Sequence, residues 1–491
     1  MSKEILKLNK EKTAYLLDRL SVFYTLAVLI YQFAYTIVPV RQFLNNSGLT
    51  VISSLMAVAG VGIAGLNLFF NRKTYKSKYV FLLIAILGVM GVSTLLNFRY
   101  GFIQNLKTML WQAALMLVVF TCNIGNELDF LKKCFKWTYW VLNIFYIPAV
   151  LTSLYQYYLN IHYITEVEMG TVRQGFIEGR LFGVFSSPHF AAISTVVMIM
   201  ASVYYVFLTK NKLLRAGLIV IAAINFVYTV LSGSRSATLA VCATVLVAAF
   251  VLLYKRKFQP SSLKKPIQIL LAALLAVCVA AGTFIAFEAT AGGNVFLLKQ
   301  INGADAGEDD TPAEDELMYE REDIEGNISN NRFTIWKEYI EVGLSSAKTA
   351  IFGASPGSYM IYTAENYPDK YIVSHIKETV PSMYEHGIIY DTHNAYVSAF
   401  VSTGICGFAL LLAFLVICAG RALKKIFSEE KISLGLVFTM AMVVFSLAVS
   451  FFDSDLFYKC TGTAVIFWLF CGILVKYAAR KKPELEDKKE N

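Results

Sequence analysis

Residues 390–400 read YDTHNAYVSAF, and they mark a border in the chain. From Asn394 to about residue 420 the sequence is apolar enough to cross a membrane, whereas residues 289–392 before it are not. Three hydrogen-bonding side chains, Asp391, His393 and Asn394, stand together at that border in a chain with only five histidines.

Working outward, apolar runs of the same kind recur. The chain is 56% hydrophobic and 16% charged, with a mean hydropathy of +0.55, where a soluble protein would carry about 25% charged residues. Twelve uncharged runs fall near 19–40, 50–71, 79–97, 108–125, 138–159, 188–208, 216–231, 237–254, 267–288, 394–420, 432–452 and 458–478. These predict an all-α polytopic membrane protein of about 12 transmembrane helices. Nine cross within residues 1–288, a large and partly helical loop occupies 289–393, three more cross within 394–480, and 481–491 form a tail. The first run is too long for the h-region of a cleavable signal peptide.

A net charge of +9 raises the question of a nucleic-acid partner, and the distribution of charge answers it. With the N-terminus cytoplasmic, 30 of the 44 Lys and Arg fall on the cytoplasmic side. Short cytoplasmic loops gather basic residues in this way, so the excess is a topology signal, no nucleic acid is implied, and 289–393 face outward. Of the eight cysteines, Cys134 falls in a cytoplasmic loop and the others within or at the edge of apolar runs. None lies in the large loop, which excludes a disulfide framework there, and no CxxC metal pattern occurs.

The large loop changes character along its length. Residues 301–326 hold eleven acidic residues and a single Arg, too little apolar surface to fold alone, and read as a flexible arm. Residues 327–393 read as ordered. NISNNRFTIWKEYIEVGL (327–344) is an amphipathic helix with Arg332 and Trp336 on one face, and FGASPGSY (352–359) is turn chemistry. A second external segment, 160–187, is polar and glycine-bearing. No six-plus-six repeat is visible, which counts against many transporter folds.

Four places could carry chemistry. In LSGSRSATLA (231–240), the preceding run of 16 residues would reach about 24 Å, short of a roughly 30 Å bilayer core, which predicts that the turn dips toward the membrane. Ser234, Arg235 and Ser236 then stand beside a helix N-terminus, an anion site suited to phosphate. An Arg there could equally anchor a hairpin to lipid headgroups. In RLFGVFSSPHFAA (180–192), Arg180 lies outside and His189 falls in the first turn of the next helix. His393 begins a helix at the outer interface, suited to general-base work or to hydrogen bonding a phosphate, with Asp391 or Asn394 available to fix its tautomer. Arg332 completes the set. Arg180, Arg235, Arg332 and His393 on one side suggest a membrane-embedded ligand that carries phosphate.

With those residues in view, the chain resembles the O-antigen ligase and polysaccharide polymerase membrane proteins. The likeness rests on an Arg-bearing break between spans (SGSRS), an R-x₃-W segment (Arg332, Trp336), a G-x-x-P-G turn (GASPG) and HN-x-Y followed by glycine (HNAYVSAFVSTG). It covers about residues 180–410. His189 follows Ser187-Pro188 where the family has Asn after Pro, which leaves a family role for it open. The resemblance implies a multi-pass enzyme of the cell membrane with its active site on the extracytoplasmic side. It implies an undecaprenyl-diphosphate-linked oligosaccharide as donor, no metal and no cofactor. Carried over, His393 is the catalytic residue. Arg235 and Arg332 hold the diphosphate, and Arg180, Ser234, Ser236, Asn394 and Trp336 complete the substrate site. Polymerisation into a surface or capsular polysaccharide is the expectation, alongside other assembly or export proteins as partners. The alternatives are ligase-type transfer to another acceptor, or a flippase for the same lipid-linked sugars. Asp453 and Asp455 read as a solvated turn.

Overall fold

The computed structural model describes residues 2–71, 77–167, 170–255, 264–301, 331–429 and 432–479. The acidic arm expected over 301–326 lies, but for Ile301, outside them, as do 327–330 and the tail. Among the described residues, eleven helices are long and apolar enough to cross a membrane, and a further apolar helix, Leu434–Val449, has 16 residues. The protein is an all-α polytopic membrane protein with one small sheet.

Burial sorts the helices. Gly462–Ala479 is the central one, 78% of its apolar window buried, with Trp468 ringed by Phe120, Phe414 and Phe467. Lys265–Ile301 lies at the rim, with 11% buried over Lys265–Leu298. That helix was expected to end near 288, so the first residues assigned to the large loop are helical.

The helix before the SGSRS turn is a second difference. It runs Lys212–Leu231, 20 residues and about 30 Å, rather than the 16 read from hydropathy. The cause is a local cap: the Asn211 carboxamide accepts from Leu213 N (2.9 Å) and Leu214 N (3.1 Å), starting the helix among charged residues that hydropathy assigns to a loop. The turn therefore follows a helix of full membrane length, and the argument that it dips into the bilayer falls.

Residues 160–187, expected as a polar segment, hold an antiparallel sheet of β1 (His162–Val167), β2 (Gly170–Ile177) and β3 (Arg180–Gly183) in that order. Glu178 and Gly179 join β2 to β3 with φ of 51° and 63°, the two-residue turn whose twist matches that of paired strands. That turn sets Arg180 opposite Ile177 at the start of β3. Tyr228 fixes the strand in turn, its hydroxyl donating to Phe182 O at 3.1 Å.

Residues 331–393 form a second body of short helices, beginning with Arg332–Leu344, which confirms the predicted amphipathic helix. It has its own core, in which Ile335, Tyr339 and Val342 meet Tyr359, Ile372 and Val373. The Glu338 carboxylate accepts from Tyr371 N (3.1 Å) and Ile372 N (3.0 Å), capping a neighbouring helix. This body grips the helix Ala395–Ser428, which breaks at Gly404 (φ 63°, ψ −167°). A Cβ on Gly404 would stand 2.4 Å from the carbonyl carbon of Ile351, and one on Gly353 2.3 Å from that of Ser402. The glycines of the GASPG and HNAYVSAFVSTG motifs are thus two sides of one backbone crossing, closed by Ala354 N donating to Val401 O at 2.7 Å.

Candidate active site

Four chain segments end at the same cavity: the start of β3, the helix opened by Ser187-Pro188, the turn into Arg235–Lys255 and the start of Ala395–Ser428. Each start has a local cause. Pro188 occupies the first helical position, where its missing N–H costs nothing. Asn394 caps its helix, accepting from Tyr396 N (2.9 Å) and Val397 N (3.0 Å). The cavity holds about 460 Å³ and is lined by Arg180, Ser234, Arg235, Ser236, Arg332 and His393, all expected at the site. Asn394 and Trp336 are not in its lining. Asn394 is spent on the cap and on Phe451 O (3.0 Å). Trp336 packs edge-on to Phe451, its ring N–H buried without a partner.

The cations are held close to one another. Arg180 Nε donates to Ser232 O at 3.2 Å, tying the sheet to the SGSRS turn. Arg332 stands 6.0 Å from the centre of the Phe452 ring and makes no hydrogen bond or ion pair among the described residues. Burial pulls its pKa down, Asp453 pulls it back in part, and the charge of Arg235 lowers it again. Guanidinium remains protonated through any such change, so the lowering reflects first the cost of burying the charge and then its nearness to Arg235. A bound anion would relieve it.

His393 is the one residue of the four with a strained backbone, at φ 45°. Left-handed conformations of non-glycine residues cost about 1–3 kcal/mol and cluster at functional sites. Burial lowers the imidazole pKa. Asp391 and Asp453 oppose that shift, and Arg332 and Lys459 add to it, so the ring is neutral and basic near pH 7. Its expected orienting partners are engaged elsewhere. Asp391 accepts from Ser454 Oγ (2.5 Å), Tyr359 Oη (2.5 Å) and Thr392 N (2.7 Å), and pairs with Lys459. Neither it nor Asn394 hydrogen-bonds the His393 ring.

A second set of charges in the lining went unrecognised in the sequence. Asp453 and Asp455, read as a solvated turn, are largely buried, with side chains 13% and 7% exposed. They pack there because the segment Phe451–Cys460 folds back under the helix starts, with Ala395 N donating to Ser450 O at 2.9 Å. Burial would raise the Asp391 carboxyl, but the Lys459 ammonium and its three other donors hold it well below the usual range. Asp455 goes the other way: burial, and then the neighbouring charge of Asp453, push it up to about 7, and its Oδ2 is buried without a partner. Asp453 Oδ2 is in ion-pair contact with His189 Nε2. His189 Nδ1 in turn lies 3.0 Å from Ser234 Oγ and 3.1 Å from Ser236 Oγ. The first-turn histidine thus belongs to the cavity. Its signal in the sequence was the spacing of a lone His one residue after a helix-opening proline.

One cavity therefore joins two arginines, helix-start hydroxyls and a neutral histidine. Residues 220–412 match the family described as O-Antigen ligase. That stretch, under half of the chain, is similar to the O-antigen ligase family, and the likeness supports a membrane glycan ligase or polymerase activity on a lipid-linked glycan. The ligase-family stretch contains Arg235, Arg332, Gly353, His393 and Gly404, while Arg180, His189 and the Asp453–Lys459 segment lie outside it. No curated protein matches the chain.

Proposed function

We propose that the chain is a membrane-integral glycosyltransferase that polymerises undecaprenyl-diphosphate-linked oligosaccharides into a surface or capsular polysaccharide. It works at the extracytoplasmic face of the cell membrane, without metal or cofactor. The sidedness rests on the Lys and Arg distribution. The observation that carries the chemistry is the mutual approach of Arg235 and Arg332 in a cavity that also holds a neutral His393.

Two planar guanidinium groups can each grip phosphate oxygens by paired hydrogen bonds. As the bond from the anomeric carbon to the diphosphate oxygen breaks, negative charge grows on the leaving group, and the arginines stabilise it where it grows. Ser234 and Ser236 add hydroxyls, and the N-terminus of Arg235–Lys255 adds its positive dipole end. The acceptor sugar's hydroxyl attacks the anomeric carbon while His393 takes its proton. One C–O bond forms, one breaks, the anomeric centre inverts, and the lipid diphosphate departs. Arginine-borne charge supplies what a divalent cation supplies in other diphosphate chemistry.

Ligase-type transfer shares every step and differs in the acceptor alone. The test is purified protein in detergent with a lipid-linked oligosaccharide and no nucleotide sugar. Polymerisation predicts lengthened lipid-linked glycans and released lipid diphosphate. Product only when a second, unrelated anchor is supplied would replace it with ligation, and no product with either acceptor would reject both.

A further inference from the structure

We infer that His189 is a positioning residue that couples diphosphate binding to the uptake of one proton, by turning the Ser234 and Ser236 hydroxyls toward the ligand. The inference rests on the diphosphate reading above and concerns a residue that reading does not use.

Asp453 Oδ2 lies against the buried His189 Nε2, which makes no other hydrogen bond among the described residues, so the tautomer with its hydrogen on Nε2, facing the carboxylate, is the favoured one. In the neutral ring Nδ1 is then an acceptor, and among the described residues the donors within reach are the hydroxyls of Ser234 (3.0 Å) and Ser236 (3.1 Å), themselves 3.4 Å apart. While His189 is neutral, a serine proton is committed to the ring and is withheld from the cavity. Adding a proton at Nδ1 reverses that bond: the ring donates, the serine accepts, and both hydroxyl protons are free to point at an anion.

The surrounding charges set when it happens. Asp453 faces the ring directly and favours its charged form, and Asp391 lines the same cavity, whereas Asp455, pushed up to about 7, carries only part of a charge near neutrality. Arg180 from β3, Arg235 from the helix start, Arg332, Lys459 and His393 line the same cavity and oppose the charged form. A diphosphate diester brings two negative charges against those arginines. Their opposition to imidazolium is cancelled, Asp453 prevails, and one proton enters from solvent with the ligand. The linkage makes diphosphate affinity rise as pH falls, by up to roughly tenfold per pH unit for one fully linked proton. This runs opposite to the demand of His393, which must be neutral to act as a base.

The experiment is calorimetry on the purified full chain with a short-chain dialkyl diphosphate, a diester with no proton of its own to lose near neutrality. It is run in buffers of different ionisation enthalpy from pH 6 to 8. Wild type should take up between about half a proton and one proton per diester near pH 7.5. His189→Asn should bind at pH 8 with little uptake and an affinity that no longer improves on acidification. Asp453→Asn, which removes the charge that favours imidazolium, should lose the uptake too, and His393→Gln should keep it. Uptake that survives in His189→Asn, or that vanishes in His393→Gln instead, overturns the inference. Binding by wild type without proton uptake overturns it while the diphosphate reading stands. A wild type that does not bind the diester at all removes both.

Discussion

The cavity's basic residues and its acidic residues were assembled by different means. Arg235, Arg332 and His393 each stand at or beside the start of a helix, so each is placed by a few neighbouring residues and owes little to distant contacts. Asp391, Asp455 and Lys459 are placed by one another, through an ion-pair and hydroxyl network that exists only once two chain segments meet, and Asp453 lies against His189. The first set lines the cavity and is held there by local geometry. The second is internal framing, and the contrast says which substitutions should remove chemistry and which should remove structure.

The comparison breaks most sharply at His393. His393→Ala and His393→Gln should lower transfer by about 10²–10⁴-fold, the usual value of a general base, with normal accumulation in the membrane and retained donor binding. Full activity of His393→Gln would leave the ring a hydrogen-bonding role only. Next come the arginines. A charge-assisted contact contributes about 1.5–3 kcal/mol, so Arg235→Ala or Arg332→Ala should weaken donor affinity by about 10- to 100-fold, and the Lys variants by less. If Arg235→Ala bound donor as wild type does, the residue would be a lipid anchor and the basic set would shrink by one.

The framing set predicts two opposite signs around a single lysine. Asp391→Asn strands the Lys459 ammonium and should cost about 2 kcal/mol in thermal stability, less than a fully buried pair because both groups keep some solvent. Asp455→Asn should stabilise. A carboxyl whose folded pKa is raised to about 7 stays protonated in the fold while the unfolded chain ionises. Its cost therefore grows from about pH 4 to pH 7 and stays at its maximum above that. The gain from Asp455→Asn should be absent at pH 4 and present at pH 8, read from the melting temperature at each. If both variants destabilise equally at pH 8, the framing does not distinguish its two carboxylates.

This division is also why the basic set was legible in the sequence and the framing was not. SGSRS, NNRFTIW and DTHN each announce a helix boundary and a charge within a few residues, and local signals survive reading one segment at a time. DSDLFYK announces only a polar turn between two apolar runs. That Lys459 meets Asp391, and that Asp453 meets His189, depends on the crossing of helices far apart in sequence. The sheet over 162–183 was missed for another reason: its glycines were read as loop signals, although Tyr163, Ile164, Val172, Phe176 and Ile177 have strand character. The smallest expected effect sharpens the picture of His393 alone. Because its pKa is lowered in the ligand-free protein, the acid limb of kcat/KM should fall below pH 6.5, visible in a profile from pH 5 to 8.

The break at Gly404 has a mechanical meaning. Residues 395–403 are bonded to the 331–393 body and to the ends of neighbouring helices, through Val401 O and the amide of Ala395, while the longer arm below continues to Ser428. Bilayers that thin or thicken change the tilt of the helices that cross them. With a joint about a quarter of the way along, that tilt is absorbed by the lower arm. The height of His393 then follows the interface to which its own segment is tied, and on the proposed mechanism the level of the reacting bond is insulated from the thickness of the lipid around it.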